Sequence, residues 1–327
     1  MVAYGGKNLP SLSMNRAALQ LAKEMCDRAD EYGVSVRIVN SGTCIIDAGI
    51  AAKGGFLAGK AITEICLGGM GRATISSIRL GEYELPSVSV FTDHPAISTL
   101  GSQLAGWRIK IGDYSAVGSG PARALALKPK SIYSKIGYRE ESDTAILVLE
   151  GSGWPTAEAI SYISDSCGVA PDRLFLVLVP TSSPAGFTQI SGRIAETGIH
   201  KLSELGFDPK FVTHAWGSAP ILPVHPDPVE AMGRTNDAIL YGGIAYYIVN
   251  YGDDDTLKGL VEQSVSSSSK HYGRPFAEIF READQDFYKI DPSIFAPAMV
   301  TINNIRTGGT FTAGRINADV LRKSVSF

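Results

Sequence analysis

The sequence offers little from which a covalent or metal-held framework could be built. Its 327 residues include four cysteines, Cys26, Cys44, Cys66 and Cys167, scattered and without a CxxC spacing. In a chain this long that pattern fits reduced thiols in a cytoplasmic protein and not a disulfide scaffold. The five histidines stand at no ligand spacing to one another or to a cysteine, so no metal site is expected. No apolar run approaches the roughly 18 residues of a membrane span. The opening MVAYGGKNLPSLSMN lacks the charged-then-apolar pattern of a signal peptide. The net charge of −3 supplies no basic field for nucleic acid. No GxSxG elbow, HExxH or complete GxGxxG occurs, which removes the usual signals of serine hydrolases, zinc proteases and dinucleotide oxidoreductases.

What remains is an ordinary globular composition rich in glycine, with 44% hydrophobic residues and 35 glycines. Residues 15–31 have helical periodicity, stopped by Gly33. VSVRIV (34–39) and TCIIDAG (43–49) read as a hairpin around Asn40-Ser41-Gly42. A helix is expected over 57–66, strands over 73–78 and 87–92, and a helix opened by Pro95 over 96–106. WRIKIG is a strand, and DYSAVGSGPARALALKP a loop feeding a short helix. TAILVLE (144–150) and RLFLVLVP (173–180) are buried strands flanking a helix over 155–167. A further helix runs to about Leu205, where Gly206 caps it. FVTHAW is a strand, VEAMGRTNDAILYGGIAYYIV largely helix, and DDDTLKGLVEQSVSSSS a polar, exposed stretch. PFAEIFREADQDFY reads as helix, AMVTINN as strand and INADVLRKS as a last helix. Strands and helices mix throughout, so the class is α/β or mixed α+β. No low-complexity linker divides the chain. Residues 1–327 read as one unit of two lobes sharing chain crossings, with a boundary near 200–210.

Five stretches carry candidate chemistry. GGFLAGKA (54–61) has the Gly54-x4-Gly59-Lys60 spacing of a phosphate loop, but Ala61 stands where a Mg²⁺-binding hydroxyl is needed. GSGPARALALKP (118–129) places Gly118, Ser119 and Gly120 before Pro121, with Arg123 and Lys128 nearby. It is either an anion-binding helix start or an ordinary capped helix. PTSSPAGFTQISGRIAETGIHK (180–201) follows a buried strand, where α/β folds place ligands. There Arg193 and Glu196 share a helix face, either as an exposed ion pair worth roughly 0.2–0.5 kcal/mol or as a functional pair. A carboxylate held there serves as a general base if its pKa rises from about 4.3 toward neutrality. In FTDHPAIS (91–98), Asp93 is a helix cap or a site residue, and the lone His94 is a packing residue or a site residue. Asn236 and Asp237 form a polar pair in an apolar helical segment and need a partner, either a ligand or another turn of chain.

Taken together these stretches resemble the methenyltetrahydromethanopterin cyclohydrolase family. The matching segments are EICLGGMG (64–71), TDHPAISTLGSQLAGW (92–107), GSGPARALALKP (118–129), PTSS (180–183), QISGRIAETGI (189–199), TNDAILYGG (235–243), ADQDFYKID (283–291) and FAPA (295–298), in order over roughly residues 40–327. His94 and Thr197 depart from the family pattern.

The resemblance implies a two-lobed α/β fold with the pocket between the lobes and a homotrimeric assembly. It implies reversible hydrolysis of methenyltetrahydromethanopterin, a folate-like one-carbon carrier, to its formyl form, with no metal or tightly bound cofactor. It puts Glu196 in the role of general acid and base, with Arg193 beside it to orient it and stabilise the attacking oxygen. The substrate-binding candidates are Ser119, Gly120, Pro121, Ala122, Arg123 and Lys128, for the anionic tail or the pterin head. Asp93, Thr181, Ser182, Ser183, Gln189, Ser191, Asn236 and Asp237 complete the set. The only partner expected is the pterin, with neither nucleic acid nor membrane. The main rival is a non-catalytic pterin or phosphate binder on the same scaffold. A phosphotransferase using Lys60 and a structural subunit of a one-carbon complex are the others.

Overall fold

A computed structural model describes residues 12–325. The opening segment 1–11 lies outside the described residues. Two six-stranded sheets organise the chain. The first contains β1 (Ser35–Ile38), β2 (Cys44–Asp47), β5 (Trp107–Ile111), β6 (Tyr114–Ser119), β7 (Ala145–Glu150) and β8 (Leu174–Leu178), in the order β1-β2-β8-β7-β6-β5. The second contains β3 (Gly71–Leu80), β4 (Tyr83–Thr92), β9 (Val212–Pro220), β10 (Ile244–Val249), β11 (Met299–Asn304) and β12 (Thr310–Gly314), in the order β12-β11-β10-β9-β4-β3. Residues 71–92 therefore share a sheet with residues 212–314, and no single cut in the chain separates the two sheets.

Burial follows from strand composition. AILVLE and LFLVL are apolar at successive positions, as parallel strands covered on both faces must be. β2, β8 and β7 form that parallel centre. Ile46, Val148 and Val177 face one way, against Ala22 and Met25 of the helix Met14–Asp27 and Ile62 and Ile65 of the helix Phe56–Cys66. Ile45, Leu147 and Leu176 face the other way, against Ile160 and Ile163 of the helix Ala157–Cys167. The second sheet turns Val88, Val90, Ala245, Tyr247 and Val300 toward Phe187, Ile190, Ile194 and Ile199 of the helices Pro184–Ser191 and Ile194–Glu204. The helix Pro184–Ser191 sends Ala185 to the first sheet's core and Phe187 to the second's, so it lies between the sheets.

Several elements differ from their sequence reading. The segment expected as a loop before Ser119 is strand β6, joined to β5 by a tight turn at Gly112 and Asp113. Its alternating burial, with Tyr114, Ala116 and Gly118 inward, is the period-2 signal of a half-buried strand. The helix expected over 96–106 is a π-helix over Ile97–Gln103. The stretch 229–249 is not one helix. The helix Pro228–Gly242 ends at Gly242-Gly243, and the β-branched and aromatic IAYYIV pairs into the second sheet as β10. The polar stretch 253–269 contains the helix Asp254–Gln263 and buries Ser264, Ser266 and Ser269. The edge strand β12 carried no legible signal. All four cysteines are free, with the Cys26 and Cys44 sulfurs 3.7 Å apart.

The phosphate-loop reading fails on packing. Lys60 pairs with Glu64 at 2.8 Å, and Glu64 also accepts from the Ala73 amide at 2.9 Å. Gly59 is a helix-crossing contact: a Cβ there would lie 2.4 Å from Thr188 Cβ. Alanine at Gly59 gains about 1 kcal/mol of helix propensity, but overpacking costs about 1–3 kcal/mol, so the clash dominates. Gly59→Ala is expected to lower the urea midpoint. Gly259→Ala, in the open face of the helix Asp254–Gln263 with nothing within 4 Å, is expected to raise it. Equal shifts for the two variants would contradict this packing.

Candidate active site

The site begins with an irregular helix end. The π-helix Ile97–Gln103 leaves its last carbonyls without the usual ladder partners. Side chains supply them. The buried Arg123 donates through Nη1 to the Leu100 carbonyl at 3.2 Å and the Ser102 carbonyl at 3.0 Å. The Tyr133 hydroxyl donates to the Gly101 carbonyl at 2.9 Å. Arg193 donates through Nη1 to the Gln103 carbonyl at 2.7 Å. Cations at a helix carbonyl end also complement its dipole.

Arg193 then joins two of the motifs. Its Nη2 donates to Ser119 Oγ at 3.0 Å, and Ser119 Oγ lies 3.4 Å from the Cys66 sulfur. The chain breaks into two helices at this point, where one helix running to about Leu205 was expected. Gly192 permits the break: a Cβ there would lie 2.5 Å from Thr63, and its carbonyl accepts from Gln103 Nε2 at 3.0 Å. Arg193 is the N-cap residue of the helix Ile194–Glu204, which places Glu196 in that helix's first turn.

Glu196 is 6% exposed, and among the described residues its carboxylate has no hydrogen-bond or ion-pair partner. Arg193 and Glu196 are thus neighbours without an ion pair. Burial pushes the Glu196 carboxyl above its ordinary range, and the fields of His200, Arg193 and Arg123 pull it back only in part. His200, one helical turn beyond Glu196, was not singled out in the sequence. Its i,i+4 spacing on the same helix was the available signal.

A second carboxylate stands at the carboxyl end of β7. Glu150 accepts from Thr181 Oγ1 at 2.6 Å and from Gln189 Nε2 at 3.3 Å. The sequence reading did not place it among the site residues. At the end of β2, Asp47 accepts the backbone amides of Gly49, Ile50, Ala51 and Ala52 at 2.7–3.0 Å. Burial opposes its charge, but the amide donors prevail and hold its carboxyl below the usual range. The loop it holds packs on Ser183: a Cβ at Gly49 would lie 2.5 Å from Ser183 Cβ. Buried polar atoms without a partner among the described residues include Ser102 Oγ, Gln103 Oε1, Arg123 Nη2 and Gln189 Oε1.

The other sequence candidates are placed as follows. The Gly120 amide donates to the Ser102 carbonyl at 2.8 Å, and Pro121 accepts from Asn15 Nδ2 at 3.1 Å. Ala122 is buried, with its carbonyl accepting from Cys167 Sγ. This helix start is turned into the protein. Lys128 gives its carbonyl to Arg123 Nε, while its half-buried ammonium has no partner among the described residues. Ser183 caps the helix Pro184–Ser191, and Ser191 donates to the Pro220 carbonyl. Ser182 is half-buried. Asp93 is exposed and makes no cap. The Thr92 hydroxyl accepts the His94 amide there. Asn236 returns to the Met232 carbonyl on its own helix. Asp237 accepts the Phe276 amide at 2.9 Å, in a separate cluster with its carboxyl pushed up to about 7 by burial. The structure therefore gathers Ser119, Arg123, Arg193 and Glu196 around the π-helix end, and Thr181 and Gln189 around Glu150. Asn236 and Asp237 join neither group. A cleft of about 500 Å³ lined by Arg37, Ser41, Pro155 and Pro171 lies apart from both. Among the described residues no cluster of His, Cys, Asp and Glu is placed to hold a metal, and no helix is long and apolar enough to cross a membrane.

The raised Glu196 pKa has a stability consequence. A carboxyl whose folded pKa is raised contributes stability that is complete below its unfolded value and is lost as pH rises through the folded value. Glu196→Gln, which removes that buried charge, is expected to melt above wild type at pH 8. The advantage should shrink to nothing toward pH ~4, about the ordinary glutamate pKa. A pH-independent difference in thermal midpoint would contradict the assignment.

Comparison with known proteins matches this architecture over nearly its full length. The model of a family described as Cyclohydrolase (MCH) matches residues 13–325. The methenyltetrahydromethanopterin cyclohydrolase of Methanocaldococcus jannaschii is 44% identical over 319 residues, covering 97% of this chain and 99% of that protein. Those of Methanothermobacter marburgensis and Methanococcoides burtonii are 47% and 42% identical, over 96% of this chain in each case and 99% and 98% of theirs. On a full-length family match and this level of identity, the chain belongs to the methenyltetrahydromethanopterin cyclohydrolase family.

Proposed function

We propose that this protein catalyses the reversible hydrolysis of methenyltetrahydromethanopterin to formyltetrahydromethanopterin, with Glu196 as general base and then general acid. The observation that carries the reading is the Glu196 carboxylate: buried, unpaired and raised in pKa, on a helix start fixed to two other motifs through Arg193. Relatives whose names state this activity support it.

The methenyl carbon bridges two nitrogens as a cationic amidinium. Water adds to that carbon and gives one proton to Glu196. The neutral adduct then loses one C–N bond to the departing amine, which takes that proton. The adduct hydroxyl releases its own proton as the formyl group forms, so the net change is one proton released. One carboxyl group performs both transfers.

The substrate's charge sets the protonation state. A positive charge brought close to a carboxyl favours its ionised form, by about 4 kcal/mol for a unit pair at about 4 Å and an effective dielectric of about 20. A bound cation therefore ionises a carboxyl that burial alone holds toward neutrality, and the base forms as the substrate arrives. Arg193 does not pair with Glu196. It acts by holding the helix start against Gln103 and Ser119, and by adding positive potential where the attacking oxygen develops charge. The same reading takes the enzyme to be a homotrimer working in the cytoplasm on a diffusible pterin, with no tightly held cofactor.

The test is loss of methenyl absorbance on mixing with the carrier. Glu196→Gln is expected to lower kcat by about 10²–10⁴-fold with little change in KM. Arg193→Ala is expected to lower kcat as well. In the wild type kcat/KM should fall as the pH drops through the raised Glu196 pKa of the free enzyme, whereas kcat, set by the complex in which the cation favours the carboxylate, should hold to lower pH. Carrier binding without turnover above buffer would instead establish a non-catalytic pterin binder.

A further inference from the structure

Resting on the pterin reading above, we propose that Glu150, with Gln189, recognises the pyrimidinone edge of the pterin ring and is the specificity-determining carboxylate of the site. The register of the first sheet places it. β6 and β7 pair Ser119 with Val148 and Val117 with Glu150. Residues directly opposite in an antiparallel pair share a face, as do residues two apart on one strand. Ser119, Val148, Val117 and Glu150 therefore look the same way, toward the layer containing the helix Pro184–Ser191. Ser119 is the residue to which Arg193 is tied. Val117 is 39% exposed, so this face opens to solvent beside Glu150.

The hydrogen bonding leaves acceptor capacity unused among the described residues. Among the described residues each Glu150 oxygen accepts one protein donor, Thr181 Oγ1 on Oε1 and Gln189 Nε2 on Oε2. A carboxylate oxygen accommodates two donors, so both retain an open lone pair. Gln189 is fully buried, and its Oε1 has no partner among the described residues. The arrangement thus presents a carboxylate and a carbonyl oxygen with unused acceptor capacity. The pterin N3–H and 2-amino group form two parallel donors like one edge of a guanidinium, which a carboxylate accepts bidentately. Gln189 Oε1 supplies an acceptor for the second amino hydrogen. Glu150 takes no part in proton transfer at the methenyl carbon. That role stays with Glu196, and the two carboxylates divide recognition from chemistry.

The experiment is a ring-preference measurement on the full chain. Binding of 6,7-dimethyltetrahydropterin is compared with that of the corresponding tetrahydrolumazine, which carries a carbonyl in place of the 2-amino group. Both are read as competitive inhibitors of methenyl hydrolysis and, independently, by titration calorimetry. Wild type is expected to prefer the pterin, and Glu150→Gln to abolish that preference. The same variant should raise the KM for the methenyl carrier about 10- to 100-fold, the range for a charge-assisted hydrogen bond, with kcat nearly unchanged. Glu196→Gln should keep the ring preference. If Glu150→Gln does not fold, Glu150→Asp, which withdraws the carboxylate by one methylene, is expected to weaken the preference and raise KM in the same direction. Unchanged preference and KM in a folded Glu150 variant would overturn the inference. Absence of hydrolysis by the wild type would overturn the proposed function instead, and calorimetric ring preference would still decide the role of Glu150.

Discussion

Two arginine side chains on the carbonyl end of one π-helical turn hold this site together. Arg123 and Arg193 reach the Leu100, Ser102 and Gln103 carbonyls, and Tyr133 takes the Gly101 carbonyl between them. A π-turn at this position has carbonyls that its own ladder does not satisfy, and burying them unpaired would cost roughly 1–3 kcal/mol each. The arginines remove that cost and, in doing so, fix three distant segments to one another. Hydrogen bonds through these side chains tie the segment 118–129, the segment 189–199 and the π-helix to one another. Glu196 inherits its position from that junction, because Arg193 is the residue at which its helix begins.

The second constraint is desolvation. A carboxylate on a nearly buried residue, with no protein hydrogen-bond partner among the described residues, destabilises the fold at neutral pH, and proteins retain such groups where chemistry requires them. Asp47 gives the contrast within the same molecule. It too is buried, but its surrounding amides keep it ionised and it serves to hold a loop. Glu196 has no such donors among the described residues, which leaves its protonation open to control by whatever charge enters the site. Its relation to Arg193 is one of shared position and potential, and the absence of a direct ion pair leaves the carboxylate free to exchange a proton.

The sequence carried most of the sheet centre and named several of the residues that the structure brings together in the candidate site. AILVLE and LFLVL announced buried strands, while the Arg193–Glu196 spacing by itself left an exposed ion pair and a functional pair both open, and it was the family resemblance that favoured the second. Strand β6 was hidden because Gly118 and Gly120 read as a loop, while its alternating burial is visible only once its partners β5 and β7 are known. β10 was absorbed into a helix because Gly242-Gly243 reads as one more pair of small residues in an apolar run. The anion-binding reading of Ser119–Arg123 did not anticipate that Arg123 faces inward, since a carbonyl cluster offered by another segment has no local signature. Glu150 was passed over for a related reason. Its partners Thr181 and Gln189 lie 31 and 39 residues away, and only the sheet brings them to it.

The central claim is that Glu196 is a carboxyl whose charge is set by burial and by the bound cation. An isotope-edited infrared titration, with Glu196→Gln as the subtraction reference, reads it directly. The account predicts a protonated carboxyl band persisting above the ordinary glutamate range in the free protein, and its loss when the cationic methenyl carrier binds at the same pH. A Glu196 that ionises in the ordinary range, with no change on binding, would contradict it.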